Sequence, residues 1–188
     1  MQIHDPVPTI EAILEAHRDA LGDDHAAYRN HVYRVWHYAV AFCGGPVSDT
    51  VEAVSEADKE KIAVAGCFHD LGIWTHGTFD YLEPSADMAR QYLAEQGRPE
   101  DFHDVGRMIH QHHKITRFKA PDGALVEAFR RADWLDVTQG RRRFGLDRAT
   151  SRAIYRAFPS LGFFRRLQQL SLKRLREAPL RPLPMFKW

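Results

Sequence analysis

A histidine followed directly by an aspartate, in the run Phe68-His69-Asp70-Leu71-Gly72, sits on a helical face that is otherwise apolar. Burying an imidazole and a carboxylate together is costly without a partner, and a divalent metal ion is a partner that uses both side chains at once. Two further polar residues break apolar stripes in the same way. His31 falls among Tyr28, Val32, Val35, Ala39 and Phe42, and Asp133 among Val126, Phe129, Ala132 and Val137. Any one of them alone is more simply read as a helix cap or a side chain bonded to a carbonyl. Four together, His31, His69, Asp70 and Asp133, read as metal ligands. Two imidazoles and two carboxylates suit iron, manganese, nickel or zinc and leave positions for water and substrate, as a catalytic ion requires.

Helices must carry these residues, because the apolar periodicity is almost entirely helical and no run alternates as a strand would. About seven are expected. The first spans 9–21; the second spans 24–43, with Asp24 as N-cap and Gly44-Gly45-Pro46 as its stop; the third opens on a Ser55 cap and ends at Gly72. Residues 73–84 read as a loop beside the His-Asp pair, where Trp74, Phe79 and Tyr81 could stack on a base, although aromatic loop residues more often pack. Further helices are expected over 85–96, over 100–113 and from Pro121-Asp122-Gly123 to Val137, with Asp136 nearer the polar side of the last. A short and a longer helix should follow within 141–178, and then an extended proline-rich end, 179–188. The fold class is all-α, one compact bundle over 1–188 with its motif core at about 28–137.

At 188 residues the chain is long enough to bury a core without staples, and no apolar run approaches the roughly 20 residues of a membrane span. No signal-peptide layout opens the chain, so a cytoplasmic protein is expected, with Cys43 and Cys67 as reduced thiols inside helices. The net charge of +1 hides an asymmetry: residues 1–140 carry 13 Lys+Arg against 23 Asp+Glu, and residues 141–188 carry 13 against 2. Such a basic segment can meet nucleic acid, an acidic substrate or the acidic part of another subunit in a homo-oligomer; a solvated helix face is an equally good account.

The order His31, His69-Asp70, Asp133 resembles the HD superfamily of metal-dependent phosphohydrolases. Asn-His-Val-Tyr-Arg-Val, Cys-Phe-His-Asp-Leu-Gly and Arg-Ala-Asp-Trp-Leu-Asp carry the likeness, over roughly 28–137. The resemblance implies an all-helical fold and a divalent ion that activates a water to attack the phosphorus of a small phosphorylated substrate, a nucleotide among the candidates. It also implies cations for the phosphate oxygens and a group to handle protons. Arg34, one turn after His31, and Lys114 and Arg117, after the histidine cluster, are the cations expected at the rim; Asp70 and His112 complete the expected catalytic set. In relatives with two metals, extra histidines hold the second ion. Here His112 and His113 are present, Tyr81 stands where an earlier histidine would fall, and His76 lies only six residues past Asp70. One ion per chain is therefore expected, with His112 facing phosphate or moving a proton. Two other functions compete. A di-iron oxygenase of the same fold would need His76 and His112 on a second iron with Asp70 bridging, and a non-enzymatic nucleotide- or RNA-binding module would use the segment from Arg141 onward.

Overall fold

The computed structural model describes residues 3–44, 54–78 and 80–177, apart from the side chains of 173, 174 and 177. Among them every regular element is a helix: α1 (Pro8–Ala16), α2 (Arg18–Leu21), α3 (His25–Gly44), α4 (Glu56–Phe68), α5 (Gly72–Thr75), α6 (Leu82–Glu95), α7 (Phe102–Gln111), α8 (Ala124–Val137), α9 (Arg148–Ala157) and α10 (Phe163–Glu177). The all-α expectation holds. The hydrophobic core is continuous from Val7 to Phe163 and has α3 as its axis, with α8 and α4 packed along it and α7 against both α4 and α8. A helix surrounded this way must be apolar nearly all round. From Asn30 to Ala39 every side chain of α3 is buried, including His31, Arg34 and His37.

Local chemistry accounts for most boundaries. Ser55 caps α4 by accepting from the Asp58 amide at 3.0 Å, and Asp147 caps α9 by accepting from the Thr150 amide at 2.8 Å. Cys67 is buried, Cys43 half-buried, and neither is bridged.

Four expectations are corrected. The helix expected over 9–21 breaks at His17 into α1 and α2, and the His17 ring stands edge-on to Phe68 at 5.8 Å. Asp24 does not cap α3, because its carboxylate accepts from the Trp74 indole at 2.9 Å and from Arg166 Nε at 2.7 Å. The supposed loop 73–84 contains α5 and the first turn of α6, where Pro84 is tolerated because first-turn amides need no helical partner. Ser85, expected at the start of that helix, is buried within it and accepts from the Gly72 amide at 3.0 Å. Of the three aromatic residues of 73–84, Trp74 packs 4.8 Å from Tyr28 and Tyr81 is buried, while Phe79 lies outside the described residues. So do Gly45-Pro46 and the proline-rich end.

Candidate metal centre

His31 projects from the middle of α3, His69 and Asp70 from the turn that ends α4, His112 from the end of α7, and Asp133 from α8; all five side chains are buried. Three helices thus bring the four expected ligands to one point. His31 Nε2 lies 3.0 Å from His69 Nε2. Asp70 Oδ2 is 3.9 Å from the first of these nitrogens and 3.4 Å from the second, and Asp133 Oδ1 is 3.8 Å from each. Asp70 Oδ1 stands 3.4 Å from His112 Nε2.

The ring supports decide what faces the centre. His31 Nδ1 donates to Asp136 Oδ2 at 2.7 Å, His69 Nδ1 to the Gly66 carbonyl at 2.8 Å, and His112 Nδ1 to the Ile109 carbonyl at 2.7 Å. Carboxylates and carbonyls only accept, so each Nδ1 carries a proton and it is Nε2 of each ring that faces the centre, a lone pair whenever the ring is neutral. Two lone pairs 3.0 Å apart, flanked by two carboxylates, repel one another until a cation lies among them. Asp70 Oδ1, Asp133 Oδ1 and His112 Nε2 are buried without a hydrogen-bond partner among the described residues, a cost of about 1–3 kcal/mol per group. Two donors on one ion at about 2.1 Å stand roughly 3 to 4.2 Å apart; the separations among His31, His69 and Asp70, and those from Asp133 to each histidine, fall in that window, and His31, His69 and Asp70 form the set whose donor atoms all lie close together. The side chains fit a divalent ion.

In the protein alone, burial pushes His69 down to about 3, with His112 and His31 adding to the effect. Burial likewise pushes Asp133 up to about 7, helped by the nearby Asp70 and Asp136 carboxylates. Asp70 is held well below the usual carboxylate range by His69 and His112 in spite of its burial. A cation would reverse the Asp133 shift by favouring its ionised form.

Arg34 is not at a rim. Its side chain is wholly buried: Nε and Nη2 donate to the two oxygens of Asp136 at 2.6 and 2.8 Å, and Nη1 donates to the Phe158 carbonyl at 2.9 Å. Asp136, expected nearer the polar side of its helix, is buried and grips His31 and Arg34 together. The missed signal is its spacing: three residues after Asp133, it shares that residue's helical face. Metal-bound imidazoles are commonly oriented by such a carboxylate.

Lys114 is half-buried, and its carbonyl accepts from Arg130 Nη1 at 3.0 Å and Trp134 Nε1 at 3.2 Å, which pins the segment after the histidine cluster to α8. Arg117 is exposed. His76 is exposed too and pairs with Thr75 Oγ1 at 2.8 Å, so the second possible donor set beside Asp70 and His112 is completed by His113 instead. Phe163, at the start of α10, stacks on the His31 ring at 4.2 Å and closes the site from the C-terminal side.

A His, an adjacent His-Asp and a distal Asp, drawn to one buried point by three helices, match a family model described as HD domain over residues 28–138. The chain belongs to the HD-domain family. The HD-domain match spans α3 to α8 and so contains all of the converging side chains. No curated protein matches the chain.

Proposed function

We propose that this HD-domain protein is a metal-dependent phosphohydrolase acting on a small phosphorylated molecule. The observation that carries the reading is the set of inward-facing ring nitrogens and carboxylates of His31, His69, Asp70 and Asp133, which a divalent ion would satisfy together. A divalent ion held there, with iron, manganese, nickel and zinc as candidates, would lower the pKa of a bound water and offset charge on a phosphoryl group.

The chain's own residues would divide the remaining work. His112 Nε2, 3.4 Å from Asp70, is placed to take or give the proton that moves during water attack. Lys114 lies two residues after it and would meet the phosphate oxygens. Arg34 is better read as a positioning residue, since its guanidinium is committed to Asp136 behind His31.

The test is hydrolysis of a panel of phosphate monoesters, diesters and nucleotides by the Mn2+-loaded chain beside Asp70→Ala. Hydrolysis of at least one ester by the first, read as free phosphate from monoesters and as released alcohol or monoester from diesters, and none by the second is expected; equal rates, or no hydrolysis of any substrate, would remove the reading. A di-iron oxygenase is the second reading, favoured by the donor set Asp70, His112 and His113. Two irons per chain with substrate-dependent O2 uptake would select it.

A further inference from the structure

Two donor sets share Asp70: His31 and His69 on one side, His112 and His113 on the other. They differ in what occupies their nitrogens. On the first side both Nε2 atoms are free of donors, whereas His113 Nε2 is hydrogen-bonded to the Tyr81 hydroxyl. The phenol therefore engages a nitrogen of one of the three residues that a second ion would need.

Tyr81 has nowhere to retreat. Its side chain is buried in a small cluster with Ile73, against which Leu167 and Leu170 of α10 pack, and its carbonyl accepts from the Ser85 amide at 2.9 Å. Gly72 lies directly against it: a Cβ there would stand 2.8 Å from the Tyr81 carbonyl oxygen, 3.0 Å from Tyr81 Cβ and 2.9 Å from Ser85 Oγ. The bare backbone of Gly72 is thus what lets Tyr81 pack so close to the turn that follows Asp70.

We propose that Tyr81 is the residue that limits this cluster to one ion, by holding His113 Nε2 in a hydrogen bond that a second ion would have to break. This rests on the metal reading of the site. It concerns the number of ions, so it is tested by counting them and not by turnover.

Metal-free full-length chain is titrated with Mn2+ alone. Tight sites are counted by calorimetry, and electron paramagnetic resonance reports whether two Mn2+ ions are magnetically coupled. Wild type should take up one ion per chain. Tyr81→Phe, which removes the hydroxyl but keeps the ring, should take up two and show the coupled signal, and His112→Ala in that background should return the count to one. Tyr81→His, a smaller ring with its own donor nitrogen, should also bind two and serves if the Phe variant folds poorly by circular dichroism. Two coupled ions in wild type, or one ion in both Tyr81 variants, would overturn the proposal while leaving the metal reading in place. A phenolate-to-iron charge-transfer band in Fe3+-loaded wild type, absent from Tyr81→Phe, would make Tyr81 a ligand and overturn it too. No tight ion in any variant would sink the metal reading, and this inference with it.

Discussion

His31 and His37 lie six residues apart on α3, both buried, both with the Nδ1 proton donated to an acceptor. His37 gives its proton to the Tyr33 carbonyl at 2.8 Å, and its Nε2 lone pair accepts from the His4 backbone amide at 3.0 Å. Every polar atom of that ring is satisfied by an ordinary neutral partner. His31 gives its proton to Asp136 and turns its lone pair toward another lone pair and two carboxylates. A satisfied core histidine and a ligand histidine are therefore separated by what faces Nε2, since burial, helix and tautomer are the same. The difference in Nδ1 partner matters as well. A carboxylate makes the ring a stronger base than a carbonyl does, and Asp136 is itself braced by Arg34.

The comparison breaks most decisively on metal content. His31→Ala should lose essentially all bound metal by elemental analysis, while His37→Ala should keep it; loss from both would mean that the two rings are not different in kind. Next in size is Arg34→Met, which leaves the buried Asp136 charge without its bidentate partner. The expected loss is about 3–5 kcal/mol of unfolding free energy in urea, the usual cost of stranding one member of a buried pair. A loss under about 1 kcal/mol would show Asp136 reached by water. Asp136→Asn should keep the fold but weaken metal binding about 10- to 100-fold in equilibrium dialysis. Unchanged affinity would reduce Asp136 to a structural role.

The smallest effect concerns pH and His37. Burial holds its pKa below the ordinary imidazole value, so the folded state favours the neutral ring. The unfolded chain takes up the proton first, near pH 6.5, so this contribution to stability is complete above that pH and declines as pH falls below it. Urea unfolding of metal-free chain between pH 7.5 and 5.5 should show the decline, and His37→Gln should flatten part of it. An identical slope in the variant would remove His37 as a cause.

Much of the site was legible because its residues violate a pattern. His31, His69, Asp70 and Asp133 each interrupt an apolar stripe at helical spacing, and periodicity alone exposes such interruptions. Arg34, Asp136 and Tyr81 were misread for the opposite reason. An arginine or a second aspartate on a helix that also carries charges looks like solvated surface until α8 and α9 are seen to close over it. Tyr81, in turn, looks like one more packed aromatic until its hydroxyl is seen on His113. The basic C-terminal segment behaves likewise. Its arginines suggest a binding surface, yet α10 sends Phe163 against His31 and Leu167 and Leu170 against Tyr81, which makes its apolar face part of the wall of the site.

The order of residues by itself determined the helical class, the four inward polar side chains and the family, because those follow from spacing along single helices. Only the tertiary structure decided which nitrogen of each histidine faces the centre, that Arg34 and Asp136 stand behind His31, and that the Tyr81 hydroxyl is hydrogen-bonded to His113. Those are contacts between helices whose partners are separated by up to about a hundred residues, as in the Arg34–Asp136 pair at a separation of 102. No local periodicity encodes such a pairing; it exists only once burial has removed water as the alternative partner.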